Sequence, residues 1–570
     1  MKKPGRHTIP EPSGKPMRFL HPACLAAVLS FTAGIGCASV PRLHGTTSHD
    51  LLITNARIVD GSGNPWYRGV VAVSGDRITY VGPGTARLTG RRIIDAKDQV
   101  VAPGFIDMLG HSESSILRAP HAVSKITQGI TSEITGEVHS AWPHRVFGEA
   151  PDPDQPWESL GQYFDHLEKK GVAINLGTYV GTSSVREEVM GIVNRTPTAQ
   201  EMARMGVLID SAMRDGAVGL GTGLIYLPSN FFTTEELIAL TRYVTPYKGG
   251  YAAHMRSEGT AMLDAVRETI RIASEAGTWA QIRHIKSRSL EQMIQAVALI
   301  DSARAAGIDV TADQYPYIAS WTGLAAMLNT WVQEGGRDSL VARLRDPAVR
   351  ARLKLELGQD SAAGIRTAER TMVNDVASDS LKQYQGKRLT EIGRMRGQDP
   401  YDAAFDILIA DRGRTGAIYF SFNEDALRYA MKRPWVSIGQ DAGARSPDSL
   451  GVWARAHPRA FGTFPRILGR YVRQDSVLTL EDAIRRMTSL AAQRVGLADR
   501  GTLRAGMYAD ITIFDPATII DRSTYEEPSQ TSTGVSYVFV NGVPVIDNGR
   551  LTRALPGRAL RGPAYTRGPR

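Results

Sequence analysis

The stretch Pro103-Gly-Phe-Ile-Asp-Met-Leu-Gly-His-Ser-Glu113 decides how the rest of the chain is read. Val100 to Phe105 is an apolar run broken by Pro103 and Gly104, and it reads as one short buried strand. The run ends in Asp107, His111 and Glu113. Polar groups at the end of a buried strand are costly unless they line a site. A strand that merely exits into a polar loop would look the same, so the stretch needs support from elsewhere. Later segments supply it by repeating the form: an apolar strand, then His or Asp at its C-terminal end.

Outward from this point the chain alternates strand and helix. Candidate strands cover 130–135, 172–180, 217–225, 250–254, 280–285, 309–315 and 435–439, which with the opening run make eight. Helical runs such as 261–276 and 290–306 separate several of them. That order predicts an α/β fold, a (β/α)8 barrel over 103–497. Residues 324–430 are too long for one crossover and are expected to form an inserted helical subdomain that covers the mouth. On either side of the barrel the pattern changes to short strands of period two with tight turns. These are 51–59, 70–73 and 78–81 before it, then 509–516 and 537–545 after it, the last with an Asn-Gly hairpin. Residues 46–102 and 498–570 are therefore expected to build one small β-sandwich domain from both chain ends.

The 570 residues exceed what one core usually supports, in keeping with a large barrel plus an accessory domain. Residues 1–45 belong to neither. Leu25 to Gly36 is a short apolar run preceded by Arg18 and followed by Gly36-Cys-Ala-Ser39, which reads as a secretory signal too short to span a membrane. Met17 is an alternative start, because Met17-Arg-Phe-Leu makes a more compact basic leader. Cys37 stands where a lipid anchor would attach, but Gly34 occupies the place where lipoprotein signals carry Leu. The expectation is export to the periplasm or the medium, with a lipoprotein anchored at Cys37 as the alternative. No later stretch reads as a transmembrane helix. Of the formal +9, five net charges come from residues 1–45 and six from the Arg-rich tail 550–570, which leaves the body near −2. A basic nucleic-acid face is thereby excluded. Both cysteines, Cys24 and Cys37, lie in the leader, so the body offers no disulfide, thiol nucleophile or thiolate ligand.

The ordered motifs resemble the N-acyl-D-amino-acid deacylase (D-aminoacylase) branch of the metal-dependent amidohydrolase superfamily over roughly 50–565. The resemblance is carried by Pro103-Gly-Phe-Ile-Asp107, Gly219-Leu-Gly-Thr-Gly-Leu-Ile-Tyr226, Ala253-His-Met-Arg256 and Ile282-Arg-His-Ile-Lys286. Tyr315-Pro-Tyr317, Ile438-Gly-Gln-Asp441, His457-Pro-Arg-Ala-Phe-Gly-Thr-Phe464 and Met487-Thr-Ser continue it. Gly506-Met-Tyr-Ala-Asp510 and Val540-Asn-Gly542 are typical of the superfamily's β-domain. His254 and His284 each end a strand and lie one strand-helix unit apart, so they face the same barrel mouth. Two neutral imidazoles and a carboxylate hold Zn²⁺ with one position open for water.

Two departures from the family shape the expected site. The family's Gly-Asn-Cys-Gly turn reads Gly136-Glu-Val-His139 here. Val138 cannot ligate, so Glu137 is the expected replacement, with His139 the weaker rival. The superfamily's His-x-His reads Leu109-Gly-His111, and Thr182 replaces a His that the branch often has. These changes imply one Zn²⁺ per chain, held by Glu137, His254 and His284, with His111 beside it as a candidate ligand, substrate-facing or supporting. The resemblance assigns proton shuttling to Asp441 and the substrate carboxylate to Lys286, Tyr226 and Tyr317. It implies a hydrolase of acylated D-amino acids, small-molecule substrates, that frees the amino acid by a metal-activated water. A dipeptidase or cyclic-amide hydrolase is the alternative within enzymes. A binding protein on a decayed barrel is the alternative outside them, favoured by Leu109 and the missing cysteine and opposed by His254, His284 and Asp441.

Overall fold

The computed structural model describes residues 48–84, 88–144, 155–362, 368–447 and 455–566. The leader, with Cys24 and Cys37, lies outside them. Among the described residues eight parallel strands form the barrel. They are Phe105–Asp107, Ile130–Thr135, Asn175–Thr178 continuing into Val180–Gly181, Gly219–Gly223, Gly250–His254, Ala280–Ile282, Val310–Gln314 and Val436–Ile438. Each pairs with the next in parallel register. The ring closes where the Met108 amide donates to the Ile438 carbonyl at 3.2 Å and Gly110 bridges Ala442. Parallel strands need cover on both faces, and Gly250–His254 is buried at every position. The helix Met262–Ala276 buries Met262, Ala265, Val266, Thr269, Ile272, Ala273 and Ala276, one apolar stripe at helical spacing. It ends at Gly277 in the left-handed region, φ +70°.

The run 100–105 is not one strand, contrary to its apolar reading. Val100–Pro103 pairs with Ser48–Ile58 and Ile511–Phe514 in the accessory sheet, whereas Phe105–Asp107 opens the barrel. The break is at Gly104, where a Cβ would lie 2.2 Å from Thr131 Oγ1. The two chain ends share one nine-stranded sheet, and its seam is the antiparallel pairing of Val100–Pro103 with Ile511–Phe514. Asn541 and Gly542 close the hairpin between Val535–Val540 and Val543–Asp547 with φ of +49° and +80°, the geometry that Asn-Gly favours. The insert has its own core, in which Leu324, Leu344, Leu353, Leu389, Phe405 and Leu408 are buried. It is not purely helical. Ala319–Gly323, Gly416–Phe420 and Thr371–Val373 form a three-stranded antiparallel sheet, so the insert starts at about Ala319 rather than at 324. Ser320 to Gly323, Arg337, Leu340 and Gly413 line the cavity at the barrel mouth, so the insert walls that mouth.

Candidate metal centre and active site

Glu137, His254 and His284 converge at the C-terminal ends of three barrel strands. One ligand atom from each lies within 4.8 Å of the others. Gly136 makes the approach of Glu137 feasible: at φ +91° a Cβ there would stand 2.3 Å from the Tyr179 carbonyl. His254 ends its strand, and His284 follows Ala280–Ile282 with φ +34°, a left-handed turn that carries its ring inward. His284 Nε2 lies 3.0 Å from His254 Nδ1 and 3.3 Å from Glu137 Oε1, and His254 Nδ1 lies 3.6 Å from that oxygen. Glu137 Oε1 is buried with no hydrogen-bond donor among the described residues. An orphaned carboxylate oxygen between two imidazole nitrogens fits a divalent cation such as zinc.

Asp441 stands beside this cluster. Its Oδ1 lies 3.0 Å from His111 Nε2 and its Oδ2 lies 2.7 Å from Arg459 Nη1. Burial would raise the carboxyl, but Arg459, His111 and His284 outweigh it and hold Asp441 at about 2. Glu137 Oε2 lies 3.6 Å from His111 Nε2, and His111, Glu137 and Asp441 form a second close group that shares Glu137 with the first. Burial lowers His111, yet Asp441 and Glu137 raise it to about 9. Leu109 is fully buried and does not line the cavity. A Cβ at Gly439 would meet its Cβ at 2.6 Å, so Leu109 packs into the closing seam of the barrel.

The other expected residues divide. Lys286 and Tyr226 both line the cavity, which has a volume of about 800 Å³. Lys286 is paired with Glu258 and lies 2.6 Å from His284 Nδ1. Tyr226 donates to Thr322 Oγ1 at 3.0 Å. Tyr317 does not line the cavity. Its hydroxyl donates to Asp521 Oδ2 at 3.3 Å while Arg466 covers its ring, so a half-buried ion pair holds it away from the mouth. His139 is not drawn into the cluster either: its Nε2 sits 3.1 Å from Glu187 Oε1, and its side chain is 54% exposed. Thr182 bonds Ser229 at 2.7 Å. Asp107, expected to line a site, lies behind it, and Glu113 turns back to accept from the Gly136 amide at 2.7 Å.

Two functional candidates escaped the sequence reading. Glu258 Oε1 reaches His284 Nδ1 at 3.0 Å and His254 Nε2 at 3.6 Å, a carboxylate behind both imidazoles. Its place four residues after the strand-end His254 was the available signal. Arg459 lies in the quoted His457-Pro-Arg motif and lines the cavity. His457 Nδ1 accepts from the Arg459 amide at 2.9 Å. The cavity wall is markedly cationic, with Arg337, Arg414, Arg445, Arg455 and Arg459 along it.

A barrel with this candidate ligand group at its C-terminal mouth and an acid in the turn after its last strand fits a hydrolase, and the chain belongs to the amidohydrolase family, whose model matches residues 92–546. Its relatives narrow the comparison. D-aminoacylase of Alcaligenes xylosoxydans xylosoxydans is 33% identical over 522 residues, covering 90% of this chain and 97% of the relative. N-acyl-D-glutamate deacylase of the same organism is 32% identical over 526 residues, covering 90% and 96%. The crystal structure of N-acyl-D-glutamate deacylase from Bordetella bronchiseptica, complexed with zinc and a phosphonate mimic of the tetrahedral intermediate, matches with TM-score 0.76 at 31% identity. That match covers 90% of this chain and all of the other.

Proposed function

We propose that the chain is an exported, zinc-dependent hydrolase that cleaves the amide of N-acyl-D-amino acids. The observation that carries this reading is the convergence of Glu137, His254 and His284 next to Asp441 at one end of a cationic cavity. One zinc ion per chain, held by those three residues, would supply Lewis acidity that lowers the pKa of water to about 7 and polarises a carbonyl. Support for a single ion comes from Leu109, which offers no ligand, and from Asp441, whose Oδ2 is already committed to Arg459.

The chain's own residues divide the remaining work. Asp441, ionised at neutral pH, accepts a proton at its carboxylate and passes it to the departing amide nitrogen. Arg459 is buried, lines the cavity and has no acceptor for its Nε among the described residues, which suits it to a substrate carboxylate. Lys286 and Tyr226 flank the same space, with Lys286 partly neutralised by Glu258. His111 borders Asp441 and keeps its carboxylate oriented. The substrate is thus a small acylated amino acid, and the relatives' names support the D series. The leader reading supports a periplasmic or secreted enzyme with Cys37 as an alternative anchor, and the nine-stranded sheet is read as folding over into a small β-sandwich.

The test is a panel of N-acetyl-D- and N-acetyl-L-amino acids offered to the purified mature chain with zinc present, with the free amino acid measured. Release from D substrates supports the reading. Release from L substrates alone, or from none, refutes it.

A further inference from the structure

The turn that carries Asp441 is gripped from behind by buried charges that never reach the cavity. Asp107, Lys125 and Glu133 are all fully buried, on the first barrel strand, the short helix Val123–Ile126 and the second strand respectively. Lys125 Nζ lies 2.8 Å from Asp107 Oδ2 and 3.2 Å from Glu133 Oε1. The same groups hold the peptides on both sides of Asp441. Asp107 Oδ1 accepts from the Gln440 amide at 2.7 Å, and Lys125 Nζ donates to the Ala442 carbonyl at 2.7 Å. Glu133 acts one step further along. It accepts from the Ser112 hydroxyl at 2.8 and 2.7 Å, and Ser112 Oγ in turn accepts from the Ala444 amide at 2.8 Å.

The turn needs such restraint. Asp441 has φ +58°, in the left-handed region that a residue with a Cβ occupies only where its surroundings over-determine it. Its own amide donates to the Leu109 carbonyl at 2.7 Å, which pins the residue to the closing seam of the barrel. Without the flanking bonds the turn could relax toward an ordinary conformation and swing the carboxylate off His111 and Arg459. A buried ammonium between two carboxylates is weak as a stabilising device, since apolar groups of similar volume often serve a fold as well or better. What apolar groups would not do is accept from the Gln440 amide and donate to the Ala442 carbonyl at fixed spacing.

We infer that Asp107, Lys125 and Glu133 are positioning residues for catalysis: through the backbone of residues 440–444 they fix the direction of the Asp441 carboxylate. The inference rests on the reading of Asp441 as the group that moves the proton. Neither the ammonium nor the two carboxylates touches substrate, because none of them lines the cavity.

The experiment is a double-mutant cycle on the zinc-loaded full chain, with Lys125→Met placed in the wild type and in Asp441→Asn. A displaced carboxylate costs roughly one to two powers of ten in rate. With Asp441 present, kcat on an N-acyl-D-amino acid should fall by that factor while KM stays within about threefold and bound zinc is unchanged. With Asn at 441 the same change should cost less than about threefold, because the group through which it acts is gone. Where Lys125→Met gives no folded protein by circular dichroism, the charge-free triple variant Asp107→Asn/Lys125→Met/Glu133→Gln carries the same comparison. Equal losses in both backgrounds, or a folded variant with wild-type kcat, overturn the inference. An Asp441→Asn enzyme as fast as the wild type shows separately that the underlying reading has failed, and the inference falls with it.

Discussion

Replacing Asp441 by Asn removes the proton acceptor while leaving the shape of the residue almost unchanged. The amide is nearly isosteric and can still stand beside Arg459, whose Nη1 lies 2.7 Å from Oδ2. What is lost is a carboxylate held at about 2 by Arg459, His111 and His284 against its burial, and hence ionised throughout the working range. General acid–base catalysis of this kind is worth roughly two to four powers of ten, or about 3–5 kcal/mol of barrier at 1.36 kcal/mol per decade. Glu137, His254 and His284 are untouched, so bound metal should stay at the wild-type level. Arg459 loses its anionic partner and becomes more available to a substrate carboxylate, so KM should hold steady or fall. The assay is steady-state release of the free amino acid at saturating substrate, run beside elemental analysis of the same preparation. A variant with full metal and kcat within about threefold of the wild type would refute the assignment of the proton shuttle.

Three further outcomes follow from the geometry. Glu137→Ala should lose most of the bound zinc, whereas His111→Ala should keep about one equivalent, as read by elemental analysis; full zinc in the Glu137 variant would show the wrong ligand set. In the metal-free protein burial and Lys286 lower His284, but Glu258, Glu137 and Asp441 raise it to about 9, above the ordinary 6.5. Its charge therefore stabilises the metal-free fold fully below about pH 6.5, and that contribution is lost as pH rises through about 9. Zinc must displace this proton, so zinc binding at pH 7 should release acid and tighten as pH rises toward 9; calorimetry in buffers of different ionisation heat would reveal a proton-silent reaction if the reasoning fails. Phe105 is fully buried, stacked on Phe464 at 5.6 Å and tilted against Phe514 at 6.2 Å, where barrel and accessory sheet meet. Phe105→Ala should cost about 3–5 kcal/mol in urea unfolding with kcat preserved in the surviving fold, and a cost below about 1 kcal/mol would contradict the packing.

Local pattern carried the barrel well where burial is complete and periodicity clean. The strands Ile130–Thr135 and Gly250–His254 have the bounds expected from their apolar runs. The strand-end positions of His254 and His284 were enough to bring them together. Pattern failed where two sheets meet: nothing apolar distinguishes Val100–Pro103 from Phe105–Asp107, and the division at Gly104 depends on Thr131 from the next strand. It failed again for side chains whose direction is set by distant partners. Tyr317 looks like a neighbour of the site in sequence, yet Asp521, two hundred residues on, decides where its hydroxyl points. Lys125 had no motif at all, because its importance comes from meeting Asp107 and Ala442 across the closed ring. Arg459 stood within a motif already quoted and Glu258 two residues beyond another, but only their distances to Asp441 and His284 give them roles.

The most direct measurement is a stepwise titration of the metal-free protein with zinc, following hydrolysis of an N-acyl-D-amino acid after each addition. With Glu137, His254 and His284 as the one working site, activity should be absent at the start, rise linearly and level off at about one equivalent per chain. Activity without metal, or a rise that continues to two equivalents, would contradict the account.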